Sequence, residues 1–342
     1  MSPVATRGPD IVSSKVPVTL FDRDNFPTEY TLAPGLCTYD GYGNYSAMSA
    51  EMRARLLANR IERGRGLSES SGFLAAWENE GSICALLIAE RFEWGEFHFN
   101  RGMAHIECFL ADSGSPQQMD VVRRTIFERL IAWVSAQNIV HLACRVVADD
   151  LRAIDFLEQQ QFKLMDTIYT YLFDKQEHIW PEDVRMLFGV RPFQAADRSR
   201  IMQLSRTSFE GSRFYTDPHF DQDLCEAFYG DWAEKLCDGV MSDDLFVACD
   251  QSDNVVGFLG YKRNASLHSL FGLKVMGGGL GAVDPAAPGA YPALLRLAFE
   301  QGRKRYDMAE LECRANNRRV VKIWRRFGCT KVRTAHTYHL SL

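Results

Sequence analysis

The feature that most constrains this chain is an internal repeat joining its middle to its end. The segment ACRVVADDLRAIDFLEQQQFKLMDTIYTYLF (143–173) lines up with ECRANNRRVVKIWRRFGCTKVRTAHTYHLSL (312–342). Each reads Cys-Arg, a polar pair, an amphipathic helix, a Phe or Gly-Cys stop, then a strand carrying Thr-Tyr. The separation, roughly 167–169 positions, points to duplication of one supersecondary unit.

The flanking sequence repeats in the same order. In the first half, Ser49 caps a predicted helix to Arg63 with an apolar stripe at Met52, Leu56, Leu57 and Ile61. Strands Gly72–Trp77 and Ile83–Glu90 flank a hairpin signal at Glu78–Gly81. A strand (Met103–Leu110), a helix (Asp120–Gln137), a strand (Val140–Val147), a helix (Asp149–Gln160) and a strand (Lys163–Phe173) follow. The second half runs helix (Ala195–Glu210), helix (Asp221–Leu236), hairpin (Leu245–Cys249 with Val255–Tyr261), strand (Gly279–Val283) and helix (Tyr291–Lys304). A strand (Met308–Arg314), a helix (Arg318–Phe327) and a strand (Lys331–Leu340) close it. The expectation is an N-terminal extension (1–48), a first unit (49–174), a connector (175–192) and a second unit (193–342). The fold class is α/β, a mixed, mostly antiparallel sheet flanked by helices in each unit.

A length of 342 residues suits two ordinary domains. With 46% hydrophobic and 24% charged residues the chain folds rather than staying disordered. A net charge of −5 gives no general attraction to nucleic acid or to an anionic membrane. The N-terminal residues contain no apolar leader core, so a cytoplasmic protein is expected. Nine cysteines without a CxxC pair read as free thiols, and no metal site is expected.

The order of elements resembles the GNAT (Gcn5-related N-acetyltransferase) fold. The segment SRFYTDPHFDQDLCEAFYGDWAEKLCDGV (212–240) resembles the substrate-side helices of GNAT enzymes that acetylate nucleotide-activated amino sugars, above all the dTDP-fucosamine acetyltransferases. EWGEFHFNRGMAHIE (93–107) and residues 145–174 look like the degenerate unit that precedes the catalytic domain in that group. The resemblance implies an acyl-CoA-dependent N-acyltransferase, with acetyl-CoA as co-substrate, acting on a small amine such as a dTDP-amino sugar. A homodimer stays open. The alternative is a non-catalytic GNAT-like module that binds a ligand or partner.

In such enzymes the acyl-CoA pyrophosphate sits at a helix N-terminus, where unpaired N–H groups and the dipole favour anions. The matching stretch here is AVDPAAPGAYPALL (282–295), with Gly289 and Ala290 at the close approach, although the usual basic residue and second glycine are missing. The first half, ADSGSPQQMDVV (111–122), has little of the pattern and is given no acyl-CoA site. By resemblance, Gly281, Ala282 and Val283 lie beside the pantetheine arm, and a backbone N–H there polarises the thioester. Asn316 matches a family Asn, or else it and Asn317 simply cap a helix. Trp324 stands where the family has a proton-donating Tyr; lacking an acidic proton it is core or a wall of the cleft. Tyr338 or His336 on the last strand can replace that acid, and Glu310 can take the amine proton, unless these are structural strand residues. Arg213 and Tyr215 are the substrate-side candidates, Arg213 for a phosphate or for a surface ion pair.

Overall fold

The computed structural model describes residues 20–111, 115–176, 181, 187–277 and 279–342. Much of the connector, part of the 111–122 stretch and most of the expected N-terminal extension's first half lie outside the described residues.

The first half runs β1 (Leu20–Asp22), β2 (Thr31–Leu32), α1 (Ala50–Gly66), β3 (Gly72–Asn79), β4 (Ser82–Arg91), α2 (Glu93–Phe99), β5 (Met103–Ala111), α3 (Pro116–Ala136), β6 (His141–Val147), α4 (Leu151–Gln159) and β7 (Lys163–Asp174). The second runs β8 (Gly189–Pro192), α5 (Arg198–Ser208), α6 (Arg213–Thr216), α7 (Gln222–Cys237), β9 (Asp244–Cys249), β10 (Val255–Arg263), α8 (Ala265–Phe271), β11 (Val275–Gly277), β12 (Gly281–Val283), α9 (Ala290–Gly302), β13 (Met308–Arg314), α10 (Arg318–Arg326) and β14 (Thr330–Ser341). Local chemistry explains several boundaries. Ser49 caps α1, its side chain accepting from Met52 N. Glu80 and Gly81 both take positive φ (52° and 80°), the geometry a two-residue hairpin loop requires. The short helices α2 and α8 were not anticipated from sequence; each sits between two strands of its half.

The mixed, mostly antiparallel sheets of the two halves are joined into one. Its order is β1-β3-β4-β5-β6-β14-β7-β13-β11-β10-β9-β8, with β2 beside β4 and β12 beside β10. Helices α3, α4, α9 and α10 cover one face, here the back. Helices α1, α2 and α5–α8 cover the front.

The centre of the sheet holds an exchange. β7, the last strand of the first half, pairs with β13 of the second; β14, the last strand of the chain, pairs with β6 of the first. The two exchanged strands then pair antiparallel with each other. The repeat is now exact in length. β6, α4 and β7 have 7, 9 and 12 residues, as do β13, α10 and β14. Each is displaced by 167 positions, the separation of Arg145 from Glu312. The N-caps obey the same displacement: Asp150 accepts from Ala153 N, and Asn317 from Val320 N. The Thr-Tyr match therefore has the true register, and the Cys-Arg match is offset by two.

A pseudo-twofold axis thus passes between Arg145 and Glu312, equivalent positions that meet at 3.4 Å. Opposite charges there attract, whereas two identical halves would set like charges against each other. Tyr171 and Tyr338 are a second equivalent pair with divergent partners. Tyr171 OH accepts from Arg325 Nε at 3.2 Å, and Tyr338 OH donates to Glu158 at 3.0 Å.

Candidate active site

In the first half, β5 and β6 run parallel but pair only from Met103–Ile106 against His141–Cys144. Beyond that they diverge, leaving the inner edge of residues 107–111 without a strand partner among the described residues. A bulge makes Glu107 the extra residue, since β4 pairs Ile88 with Cys108 and Ala89 with Ile106. A cavity of about 350 Å³ opens between the diverging strands and onto the front face. His105, Glu107, Phe109, Arg145, Val147 and Asp150 line it from the strands and the start of α4. Tyr39, Asp40, Gly41 and Arg60 come from the front, with Arg213 from α6 and Arg333 from β14. One site thus draws on both halves, because the exchange brings β14 and α6 over the first half.

Its electrostatics are unbalanced. Arg333 is engaged by Glu312 at 2.9 Å and Glu310 at 3.5 Å, and Arg145 by Glu312. Arg213 makes no ion pair among the described residues, although Asp166 and Glu107 act on it at longer range; its guanidinium donates to His105 Nε2 at 3.3 Å and lies over the Phe214 ring. Burial, helped by Arg145, lowers its pKa to about 10. Because Arg cannot accept, His105 Nε2 must be the acceptor and the ring is neutral; burial and then Arg213 push its pKa well below the usual range. Arg60 has an aromatic neighbour, Tyr42, and no ion pair among the described residues. Glu107 is exposed to the cavity. Desolvation, then Glu90, raises its pKa against the pull of Arg60, Arg63 and Arg145. A carboxylate with raised proton affinity beside unpaired guanidiniums suits a base next to an anion-binding wall.

The residues singled out from sequence are placed differently. Tyr338 is buried in the first half's core, bonded to Glu158, because β14 has crossed over; it cannot serve a cleft beside Gly281–Ala290. Tyr171 occupies that place, packed on Trp324 at a ring distance of 5.5 Å. His336 shares a hydrogen bond with Thr167 Oγ1 at 2.9 Å, amid the central strands. Glu310 accepts from Tyr45 OH at 2.8 Å and pairs with Arg333 at 3.5 Å. Gly281, Ala282 and Val283 form β12 against β10, and Ala282 is buried. Ala290 is core, and a Cβ on Gly289 would lie 3.2 Å from Phe188, so Phe188 packs beside the start of α9 where a pyrophosphate was expected. On the front of this half, Arg314 donates to Gly211 O at 2.7 Å. Asn316 is exposed, and Asn317 makes the cap. Trp324 is core, its indole N–H donating to Tyr291 OH at 2.8 Å. Arg213 does line the cavity, though that of the other half; Tyr215 donates to Arg206 O outside it. Sequence reasoning missed Glu107 and His105, whose alternation in Met103–Glu107 puts both on one strand face.

These placements carry a paired expectation. Trp324→Ala should destabilise the protein by about 3–5 kcal/mol, the usual result of emptying a buried aromatic site. Tyr338→Phe, which removes one hydrogen bond to an exposed carboxylate, should cost about 0.5–1.5 kcal/mol and leave turnover alone. Denaturant midpoints and initial rates on the same preparations check both.

With parallel strands splayed over a cleft and helices on both faces, the chain has the fold of GNAT acetyltransferases, built twice. No protein-family model matches it. It is similar to a GCN5-related N-acetyltransferase from Sphaerobacter thermophilus: TM-score 0.54, 14% identity, 94% of this chain and 95% of that one. It is similar also to the GCN5-related glucosamine N-acetyltransferase region of a fungal multi-domain GH3 beta-N-acetylglucosaminidase: TM-score 0.60, 13% identity, 97% of this chain and 39% of that one. Among curated proteins it is 22% identical over 200 residues to the spore coat polysaccharide biosynthesis protein SpsD of Bacillus subtilis. That match spans 57% of this chain and 65% of SpsD, just under two thirds of the relative. No helix among the described residues is long and apolar enough to cross a membrane.

Proposed function

We propose that the chain is an acyl-CoA-dependent N-acyltransferase, with acetyl-CoA as donor, and that it works in the first-half cleft. The observation carrying this reading is the splay of β5 from β6, with Glu107 at the bulge and the unpaired guanidiniums of Arg60 and Arg213 on the cavity wall. The partnerless edge of residues 107–111 offers backbone groups to a pantetheine arm. One N–H there can polarise the thioester carbonyl, as in an oxyanion hole. Glu107 takes a proton from the acceptor's ammonium, and the neutral amine attacks the carbonyl carbon directly. The C–S bond then breaks, the nitrogen gives its second proton to solvent, and solvent protonates the thiolate, a tolerable leaving group with a pKa of about 8.5.

The acceptor is read from the wall opposite. Arg213 and Arg60 suit a phosphate, which a guanidinium binds bidentately. An amine and a phosphate in one small substrate describe a nucleotide-activated amino sugar, such as a dTDP-amino sugar. The likeness to a polysaccharide biosynthesis protein supports a sugar acceptor.

The test separates the two clefts. Ala143→Phe fills the first-half cavity and should abolish acetyl-CoA binding in calorimetric titration. Gly289→Asp adds a negative charge at the start of α9 and should leave affinity unchanged. The reverse pattern would move the site to Gly281–Ala290, and no binding by the parent protein would favour a non-catalytic module.

A further inference from the structure

Behind Arg213, three buried side chains from distant parts of the sequence converge. The antiparallel register of β6 and β14 pairs Ser341 with His141 and His339 with Ala143, so both imidazoles lie on the front face as diagonal neighbours. Their ring centroids are 4.6 Å apart. Asp217, at the C-terminal end of α6, descends onto them. One ligand atom from each of His141, Asp217 and His339 lies within 4.8 Å of the others, and all three residues are at most 1% exposed.

Hydrogen bonds leave this cluster incomplete. Asp217 is well satisfied, by His339 Nδ1 at 2.8 Å, His219 Nδ1 at 2.8 Å and His219 N at 3.0 Å. Both ring nitrogens of His141 and Nε2 of His339, although buried, have no hydrogen-bond partner among the described residues. The rings of Phe214 and Phe220 pack against them, and the charged groups that act on them at longer range, Arg101, Arg213 and Asp166, make no hydrogen bond to these nitrogens. A neutral imidazole has one N–H and one lone pair, and burying both without partners forfeits their hydration for nothing.

We propose that His141, His339 and Asp217 form a binding site for a divalent transition-metal ion, with zinc the ion their chemistry suits best. Two imidazole nitrogens and one carboxylate oxygen favour zinc over the hard cations magnesium and calcium, which want more oxygen ligands. Ligands on a tetrahedral zinc at about 2.0–2.1 Å stand about 3.4 Å apart. The ligand atoms, now within 4.8 Å of one another, would have to draw together to reach that spacing. Water completes the fourth position. Burial opposes ionisation of Asp217, but the bonds from His339 and His219 hold its pKa below the usual range. His219, with its ring on Asp217 Oδ1, orients the carboxylate as an outer partner. The ion would pin the end of β14 to β6 and to α6, the element that carries Arg213.

The site is tested on the full, untagged chain. After chelator treatment and dialysis, the protein is titrated with zinc alone, and separately with cobalt(II) as a spectroscopic probe. The expected results are one zinc per chain by mass spectrometry, a visible d–d absorption from tetrahedral cobalt, and a raised melting temperature. His141→Gln and Asp217→Asn should each weaken binding by tenfold or more, while His268→Gln, at an unrelated half-buried histidine on α8, should not. Should His141→Gln fail to fold, the parent protein still decides the matter. No stoichiometric zinc and no cobalt absorption would overturn the proposal, as would full binding in both ligand variants. None of these readouts depends on acyl transfer, so the outcome is separate from that of the cleft.

Discussion

Glu107→Gln should lower kcat by about 10²–10⁴, the range usual for loss of a general base, while acetyl-CoA still binds. The substitution keeps shape and removes only the ability to take a proton. The pH profile gives the sharper readout. Desolvation in the cleft, then Glu90, raises the Glu107 pKa, so the base form appears at higher pH than for an ordinary carboxylate. Activity of the parent protein should therefore climb with pH through that raised value, and the climb should vanish in the variant. Stability moves the other way. A carboxylate whose pKa is higher folded than unfolded weakens the fold once ionised, so the neutral Gln variant should melt no lower than the parent. An unchanged rate and an unchanged profile would remove Glu107 from the chemistry, leaving the amine to lose its proton to water.

A chain ending at residue 329, and so lacking β14, should fail to reach a native state. β14 lies between β6 and β7, hydrogen-bonded on both sides, so its loss bares two strand edges in the middle of the sheet. It also takes Tyr338 and Leu340 from the first-half core and Val332 from the packing beneath α1 and α8. Each such side chain contributes roughly 1.5–3 kcal/mol of burial. Three of them, with two broken ladders, rival the whole net stability of a domain, about 5–15 kcal/mol. Bared edges also invite aggregation. Removing only Ser341 and Leu342 should be tolerated, because Leu342 is exposed. Soluble yield and circular-dichroism melting check both. A well-folded monomer from the shorter chain would mean that the first half completes its sheet without the exchange.

Much of the architecture can be read locally. Alternating apolar strands, the Glu80-Gly81 turn and the caps at Ser49 and Asn317 depend on neighbours a few residues away, and the sequence shows them directly. The duplication is legible for the same reason, since two copies of a unit keep the same spacing of caps and strands. Its register was not: Cys-Arg and Thr-Tyr gave two displacements, and only the paired lengths of β6, α4 and β7 against β13, α10 and β14 choose 167.

What tertiary structure alone decided was partnership. A strand offers the same N–H and C=O groups along both edges, so nothing in β7 or β14 announces which half it will join. Reading each half as closing on its own last strand put Tyr338 beside Gly281–Ala290, when it lies in the other core. The candidate site shows the same limit. Glu107 and Arg145 belong to the first half's strands, Arg213 and Arg333 to the second half, and they meet because the exchange carries β14 and α6 across. His141, Asp217 and His339 converge by that crossing too. Sequence by itself determined the units and their repetition, through short-range backbone and side-chain rules. The meeting of residues scores of positions apart was settled by which edges paired, a choice made by packing over the whole sheet.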